Sequence, residues 1–323
     1  MTQQAAVAGV EIGGTKLQAA LGRSDGTIEI IRRGTVSKDA GAQGILDWID
    51  QELTFIIDHC PETIAKPSAI GVGFGGPVDS ATGKVLTSHQ IAGWQGIELK
   101  HWFEKRFGLP TQVINDANAA GWAEYCCGVG KGTRQFCYMN IGSGIGGALI
   151  VNGQLYDGQG LGAGEIGHTY VPDWSGAPGD ADKLEHLACG WAIEKRIHAL
   201  DIPAQTPLWN ICQGHAEQLT CPMLAEAARQ GDALALQQIE YTARSVGIGL
   251  ANLITLFHPE RIALGGGVSL MGDILLNPLR NHVDSLVFGP FKGKYEILPC
   301  ALAESVVVAG ALLLAPYQRT CRE

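Results

Sequence analysis

The chain has 323 residues, of which 46% are hydrophobic and 17% charged, and its net charge is −9 at pH 7. This composition excludes disordered, collagen-like and coiled-coil proteins, and the negative charge argues against nucleic acid or an anionic membrane as the main partner. Glycine accounts for 44 residues, about twice its average share, so the fold must need bare backbone at many places.

The first third of the chain predicts strands and helices in alternation, which is typical of an α/β sheet. Its strands are apolar runs, and its first helix has apolar residues at a spacing of three and four. The pair Gly13-Gly14 is predicted to turn the chain between the first two strands. In chain order the predicted elements are strands at Ala6–Glu11, Leu17–Leu21 and Thr27–Thr35, a helix at Ala40–His59, a strand at Ala69–Phe74, a helix at Leu99–Phe107, a strand at Gln112–Ile114 and a helix from Asp116.

The rest of the chain repeats a meander and then becomes helical. A turn at Gly142 to Gly144 separates the two strands of this second meander, and the likeness of the two hairpins suggests a duplication. The stretch Val171 to Ala181 is rich in Pro, Gly, Asp and Ser and predicts an irregular loop. The predicted elements are strands at Gln135–Ile141 and Gly147–Val151, helices at Lys183–Ala199, Met223–Gly231 and Ala233–Phe257, strands at Arg261–Leu264 and Glu296–Pro299, and a helix from Glu304 or Ser305 to Ala315.

The apolar stretches and the cysteines bear on the compartment. The most apolar stretch, Val306 to Ala315, is about half the length that a membrane helix needs, and Met1 to Gly9 lacks the regions of a signal peptide. The nine cysteines are scattered without a C-x-x-C pair, as expected of reduced thiols rather than of a disulfide framework or a zinc site. We therefore expect a cytoplasmic protein that spans no membrane.

Two stretches match the pattern G-x-G-x-x-G, Gly71-Gly73-Gly76 and Gly142-Gly144-Gly147. A dinucleotide-binding fingerprint must open a helix, whose N-terminus holds the pyrophosphate. The first stretch is followed by Pro77 and the second by a predicted strand. We therefore expect no dinucleotide site, and the sequence contains no G-x-x-x-x-G-K-[ST] motif either.

The glycine turns offer another way to hold phosphates. Gly13-Gly14-Thr15-Lys16 and Gly142-Ser143-Gly144 each combine backbone N–H groups with a hydroxyl at a hairpin turn, an arrangement that binds anions. Either turn alone is equally compatible with an ordinary glycine hairpin. The third feature is Gly265-Gly266-Gly267, which follows a predicted buried strand and opens a helix, so a flat base and a ribose could lie there.

In order and spacing, six segments resemble the ROK family of sugar kinases, within the actin/Hsp70/hexokinase-like superfamily. They are Glu11 to Lys16, Gly73 to Asp79, Ile114 to Ala120, the turn at Ser143, Gly164 to His168 and Pro259 to Ser269. The resemblance implies an α/β fold of the two-lobed actin-like ATPase (ribonuclease H-like) kind, with a central cleft. It further implies a small lobe of residues 1–118 plus 305–323, with a returning C-terminal helix, and a large α/β lobe of residues 119–304.

The resemblance also implies an ATP site. ATP phosphates would bind at the two glycine turns, and the adenosine would lie near the triple glycine. Glu11, where most relatives carry Asp, would hold Mg²⁺ through a water molecule. The implied ATP-binding residues are Gly13, Gly14, Thr15, Lys16, Gly142, Ser143, Gly144, Gly265, Gly266 and Gly267.

The implied catalytic residue is Asp116, as the general base that takes a proton from a sugar hydroxyl. From the residues alone, Asp116 could equally be a helix N-cap. Side chains that both donate and accept hydrogen bonds suit a polyol, because each buried hydroxyl needs a partner. The sugar-binding residues implied with Asp116 are Gly76, Asn115, Glu165, His168 and Glu185, with Asp79 beside them.

One departure from the family concerns metal. Most relatives carry a cysteine-rich zinc motif after the Gly-Glu-x-Gly-His segment, whereas Val171 to Leu184 contains no cysteine. Four-coordinate zinc needs several Cys or His ligands at fixed spacing, so we expect no structural zinc and a loop held by packing instead. The altered loop around Trp174 and Asp180 is where we expect the choice of sugar to be made.

Together these features predict an ATP- and Mg²⁺-dependent hexose kinase that acts on the 6-hydroxyl of glucose or a close hexose. The alternatives are a fructokinase, an N-acetylhexosamine kinase, and an enzyme that uses polyphosphate as its donor. A further alternative is a sugar-sensing regulator, which we disfavour because only about ten residues precede Glu11, too few for a DNA-binding module. Relatives are commonly dimers, so the resemblance implies a homodimer.

Overall fold

The computed structural model describes residues 6–60, 64–88 and 91–316, apart from the side chain of Lys38. In this part of the chain the strands are β1 (Ala6–Ile12), β2 (Lys16–Arg23), β3 (Ile28–Thr35), β4 (Ile70–Phe74), β5 (Val78–Asp79), β6 (Lys84–Val85), β7 (Thr111–Asn115), β8 (Phe136–Ile141), β9 (Ile145–Val151), β10 (Gln154–Tyr156), β11 (Tyr170–Pro172), β12 (Ala181–Lys183), β13 (Arg261–Gly265) and β14 (Glu296–Pro299). The helices are α1 (Gly41–Asp58), α2 (Leu99–Phe107), α3 (Asp116–Cys127), α4 (Leu184–Ala188), α5 (Gly190–His198), α6 (Pro207–Cys212), α7 (Cys221–Arg229), α8 (Ala233–Phe257), α9 (Asp273–Leu286) and α10 (Val306–Leu314).

Two five-stranded mixed sheets organise these elements. The first has the order β3-β2-β1-β4-β7 and the second β10-β9-β8-β13-β14. In the first sheet, β1 pairs antiparallel with β2 and parallel with β4, and β4 pairs parallel with β7. In the second, β13 pairs parallel with both β8 and β14. The predicted α/β class is confirmed, and the matching order of the sheets is what a duplication would produce.

The chain divides into two compact units. The first contains residues 1–132, 148–163 and 301–323, and the second contains residues 133–147 and 164–300. The lobe boundaries inferred from the sequence remain a prediction. None of the described helices is both long and apolar enough to cross a lipid bilayer.

One face of the first sheet packs against α1. The helix buries the apolar stripe that the sequence predicts, including Ile45, Ile49 and Leu53, against strand residues such as Val10 and Leu17. Burying such side chains contributes about 1.5–3 kcal/mol each. This core anchors the strands whose ends carry the predicted site residues.

The other face of the first sheet packs against α10 and α3 so closely that three positions must be glycine. A Cβ atom at Gly71 would lie 1.8 Å from the carbonyl oxygen of Ala311, and one at Gly310 would lie 1.9 Å from that of Ala119. At Gly73 a Cβ atom would lie 2.6 Å from the side chain of Val307. The packing of α10 therefore explains two of the glycines of the first G-x-G-x-x-G stretch, Gly71 and Gly73.

In the second unit the long helix α8 is the central support. It begins at the N-cap Asp232, whose side chain accepts a hydrogen bond from the N–H of Ala235. Gly247 lets α9 approach, since a Cβ atom there would lie 2.7 Å from His282, and Gly249 does the same for Leu184 of α4. Helix α8 therefore sets the position of α4, which carries Glu185.

Three predicted elements differ from the structure, and α6, β5, β6 and β10 have no counterpart among the predicted elements. The helix expected to open at the triple glycine begins only at Asp273, after a 3₁₀ turn at Gly267–Met271. The helix expected at Lys183–Ala199 is divided into α4 and α5 at Cys189, whose backbone is extended. The division frees the N–H of Gly190, which donates to the carbonyl of Gly142 at 2.7 Å. The loop expected at Val171 to Ala181 contains the β11–β12 hairpin at its base, because backbone pairing does not require an apolar pattern.

Candidate active site

The carboxyl ends of three neighbouring strands meet in the first unit. Ile12, Phe74 and Asn115 are register partners across β1, β4 and β7. Just beyond them, the N–H of Gly75 donates to the carbonyl of Ile12 at 2.7 Å. Because β1, β4 and β7 run parallel, the residues that follow each strand, including Gly13 and Asp116, are brought together at one edge of the sheet.

Asp116 is the first residue of α3, and its neighbour Asn115 is the N-cap. The Asn115 side chain accepts hydrogen bonds from the N–H groups of Ala117 and Asn118 and donates to the carbonyl of Gly76 at 3.2 Å. The capping role considered for Asp116 is therefore filled by Asn115.

The Asp116 carboxylate is half-buried and its two oxygens have different surroundings. Its Oδ1 accepts a hydrogen bond from the N–H of Ala117 at 2.8 Å. Its Oδ2 lies 3.3 Å from the place where a Cβ atom of Gly75 would be. The second oxygen thus lies beside the backbone of Gly75, where a side chain would crowd it.

Glu11 is buried near the end of β1, with only 6% of its surface exposed. Its Oε1 lies 3.3 Å from Nζ of Lys16. Burial raises the pKa of Glu11 to about 7; the charge of Lys16 opposes this shift and that of Asp116 adds to it. Lys16 also donates to the carbonyl of Glu304 at 2.8 Å, so its ammonium group links the first glycine turn to the start of α10.

In the second unit the side chain of Glu185 supports the Ser143 turn. Within the turn, the N–H of Gly142 donates to the carbonyl of Gly144 at 2.8 Å. The N–H of Ile145 donates to Oε2 of Glu185 at 2.8 Å, and a Cβ atom at Gly144 would lie 2.5 Å from the same oxygen. Ser143 itself is exposed. Glu185, predicted as a sugar ligand, thus supports the predicted phosphate turn directly.

The Ser143 turn and Gly267, the last residue of the triple glycine, line one pocket of about 750 Å³ within the second unit, whereas Gly265 and Gly266 are not among its lining residues. Gly265 is buried in β13, opposite Asn140. Gly266 has φ +83°, and a Cβ atom there would lie 2.5 Å from the backbone of Ile141, so this position requires glycine. Trp191, Glu194, Arg229 and Leu270 are among the other lining residues. The volume is in the range of small-molecule sites.

Glu165 and His168 bracket a 3₁₀ turn at Ile166–His168. Both are exposed, and Nδ1 of His168 lies 3.1 Å from Nζ of Lys183. A Cβ atom at Gly167 would lie 2.2 Å from the carbonyl oxygen of Ile145. The second unit therefore brings Glu165, His168 and Glu185 close to the Ser143 turn.

The loop after β11 is tied to α8. The hydroxyl of Tyr241 donates to Oδ1 of Asp173 at 2.8 Å, and the guanidinium of Arg244 lies 3.5 Å from the ring centroid of Trp174. Inside the loop, the N–H of Ala177 donates to Oδ2 of Asp180 at 2.7 Å. These contacts hold the loop by packing and hydrogen bonds.

Several residues of these two sites belong to no sequence motif and were not identified from the sequence. Gln18 is fully buried opposite Glu11. In the sequence it stands out only as the single polar residue of the predicted strand Leu17–Leu21. The pocket residues Trp191 and Arg229 have no recognisable pattern at all. Among the described residues, no group of three or more His, Cys, Asp and Glu side chains could hold a metal ion.

Comparisons with known proteins bear on this geometry. The sequence model described as the ROK family matches residues 7–318. A glucokinase of Streptomyces coelicolor is 33% identical over 316 residues, which cover 95% of this chain and 96% of the relative. The crystal structure of a ROK family glucokinase from Streptomyces griseus in complex with glucose and AMPPNP has a TM-score of 0.80 at 32% identity, covering 96% of this chain and 99% of that one. A putative xylose repressor from a Caldicellulosiruptor species is 28% identical over 284 residues, 87% of this chain and 71% of the repressor.

Proposed function

The chain belongs to the ROK family, and we propose that it is an ATP-dependent hexose kinase that phosphorylates the 6-hydroxyl of glucose or a close hexose. The observation that carries the proposal is the position of Asp116, at the joined ends of three strands beside Glu11 and the first glycine turn. The similarity to glucokinases over nearly the whole chain supports it.

Asp116 acts as the general base. Its Oδ2, which lies beside the backbone of Gly75, takes the proton of the sugar hydroxyl while the hydroxyl oxygen bonds to the γ-phosphorus. The bond from the γ-phosphorus to the bridging oxygen breaks, and ADP leaves with that electron pair. A positioned base of this kind contributes about 10²- to 10⁴-fold in rate, and positioning and charge stabilisation supply the rest.

Other side chains hold the two substrates. In the first unit the turn at Gly13 to Lys16 offers N–H groups and the Thr15 hydroxyl to phosphate, and in the second unit the turn at Gly142 to Gly144 offers N–H groups and the Ser143 hydroxyl. On the sugar, Glu165 and His168 offer exposed acceptors and donors. Asn115 is already committed to the helix cap and to Gly76, so it acts chiefly by keeping Asp116 in place.

The residues present fit a magnesium ion that is held mainly by phosphates and water. Mg²⁺ typically takes only one or two protein carboxylates and keeps several waters, and Oε1 of Glu11 faces the first glycine turn, 3.8 Å from the place where a Cβ atom of Gly13 would be. Glu11 would hold the ion with Asp116 nearby. When bound, the ion neutralises negative charge on the transferring phosphoryl group.

The experiment that tests the proposal is Asp116→Asn, measured by ADP release and by calorimetric binding of glucose. We expect turnover to fall at least about 100-fold while glucose still binds within a few-fold of the native affinity. Asp47→Asn, an acid-to-amide change on the surface of α1, is the matched control and should leave both unchanged. A variant of Asp116 with near-native turnover would remove this residue from the mechanism.

The second candidate is a sugar-sensing regulator, favoured by the similarity to the xylose repressor. A regulator would bind a sugar without consuming ATP. ADP release over a panel of glucose, fructose, mannose and N-acetylhexosamines separates the two functions and, for a kinase, identifies the hexose.

A further inference from the structure

Gln18 presents an unusual buried side chain. It is fully buried, and neither its amide nitrogen nor its amide oxygen makes a hydrogen bond to any described residue. Glu11 is its direct partner across β1 and β2, and Oε2 of Glu11 is likewise buried and unpaired within the described chain. Directly opposed side chains on antiparallel strands lie on one face, with Cβ atoms about 5 Å apart.

A fully buried amide without partners costs about 1–3 kcal/mol per group, so its presence requires a reason. The surrounding face gives none for stability. Two residues before Glu11, the same face is occupied by Gly9, packed against Leu312. On the other strand, the residues that share this face with Gln18 are Lys16 and Ala20, whereas Leu17 and Ala19 point to the opposite face. The polar groups beside Gln18 are therefore Glu11 and Lys16, and of these Glu11 has a buried oxygen without a hydrogen bond in the described chain.

We propose that Gln18 is a positioning residue for Glu11: its carboxamide holds the inner carboxylate oxygen through one buried water, and so fixes the outer oxygen for the magnesium nucleotide. This inference rests on the proposed kinase function. The outer oxygen, Oε1, is the one that contacts Lys16 and lies 3.8 Å from the Cβ position of Gly13. Anchoring the inner oxygen leaves the outer one in a single orientation toward the first glycine turn.

The length of Glu11 explains why it needs an anchor. A glutamate has one more rotatable bond than an aspartate, and holding such a side chain in one rotamer costs conformational entropy. Lys16 restrains only one oxygen and divides its ammonium between Glu11 and the carbonyl of Glu304. The amide of Gln18 supplies the second contact, because it carries both a donor and an acceptor.

The test measures binding of Mn²⁺ to the complex of the enzyme with AMPPNP by electron paramagnetic resonance, a readout independent of turnover. Gln18→Met preserves the length of the side chain and removes its polar atoms; Gln18→Leu, with less volume, is measured in parallel. We expect both to weaken Mn²⁺ binding by about tenfold, as for other residues that orient a ligand. The matched control is Thr111→Val, another buried polar residue of the same sheet, which should leave Mn²⁺ binding unchanged.

A second arm repeats the substitution in the Glu11→Gln background. If Gln18 acts through Glu11, Gln18→Met then adds less than a twofold effect. Unchanged Mn²⁺ binding in the single variants, or an equal loss in both backgrounds, overturns the role of Gln18 while native turnover leaves the kinase proposal intact. A native protein that holds no Mn²⁺–AMPPNP and releases no ADP overturns both.

Discussion

At the scale of single residues, Glu11 links the site to pH. Its pKa is raised from 4.5 to about 7 by burial, so the native chain holds this proton more tightly than the unfolded chain does. Glu11 therefore favours the folded state below pH 4.5, and that contribution is lost as pH rises through 7. The groups that face it are Lys16, which opposes the shift, and Asp116 and Glu304, which add to it.

The corresponding prediction concerns Glu11→Gln, which keeps the size of the side chain and removes its titration. Between pH 4.5 and pH 8 the native protein should lose about 3 kcal/mol of unfolding free energy relative to the variant. Urea unfolding of both proteins across this range measures the difference. Parallel pH profiles for the two proteins would contradict the buried, proton-holding state of Glu11.

A second residue-scale prediction concerns Gly144→Ala. The new methyl group would lie 2.5 Å from Oε2 of Glu185, so it displaces the carboxylate that accepts the N–H of Ile145. We expect the KM for ATP to rise about tenfold, in line with loss of a hydrogen bond to a charged group. Gly289→Ala, where nothing lies within 4 Å, is the control, and equal kinetics for the two variants would contradict the role of Glu185 at the turn.

The sequence alone could identify glycines, hydroxyls and carboxylates that stand at turns and strand ends, because such residues interrupt a pattern. Gly13, Ser143 and Asp116 are of this kind. It could not identify Gln18 or the capping role of Asn115. Both depend on which residue lies opposite or adjacent in the folded chain, and a register partner seven residues away leaves no mark in the sequence.

At the scale of elements, periodicity predicted most of the long helices and buried strands, but not the bounds of α9. The bounds of α8 and β14 are those expected, because their apolar patterns and flanking prolines are strong. The division between α4 and α5 was missed because it depends on a tertiary hydrogen bond, from Gly190 to Gly142. The β11–β12 hairpin was missed because its loop contains turn-forming residues without alternation.

An element-scale prediction follows for the loop between β11 and β12. Tyr241→Phe removes the hydroxyl that donates to Asp173 and leaves the ring under Arg196 in place. We expect a loss of about 1 kcal/mol in unfolding free energy and faster amide exchange confined to residues 173–180. Hydrogen exchange with mass spectrometry measures this.

The control for that loop is Tyr295→Phe, which loses a comparable hydrogen bond from a tyrosine hydroxyl to an aspartate, Asp284, in another part of the second unit. It should not change exchange in residues 173–180. Should Tyr241→Phe leave exchange in the loop unaltered as well, the hydrogen bond to Asp173 does not hold the loop.

At the scale of the whole molecule, the family and the fold class were predictable because six short segments keep their order over nearly the whole chain. The two sheets share one strand order, so the same kind of hairpin turn occurs once in each. The sequence could not supply the volume or the lining of the pocket in the second unit. Its residues come from four separate segments, among them Trp191, Pro222 and Leu270, and only folding places them together.

The choice between ATP and polyphosphate as phosphate donor depends on the lining of this pocket and on the net charge of the chain. A pocket of about 750 Å³ adjoins the Ser143 turn, and most of its lining is apolar, with Glu194 and Arg229 as its charged residues. Such a lining suits a nucleoside better than a long chain of phosphates. The net charge of −9 further opposes a long polyanion. We therefore predict that kcat/KM with ATP exceeds that with polyphosphate by at least about 100-fold, which corresponds to a difference of about 3 kcal/mol in transition-state binding. Parallel assays of glucose phosphorylation with each donor measure this ratio.

The variant Trp191→Ala should raise the KM for ATP and leave any turnover with polyphosphate unchanged. Equal use of the two donors by the native enzyme would contradict the binding of a nucleoside in this pocket.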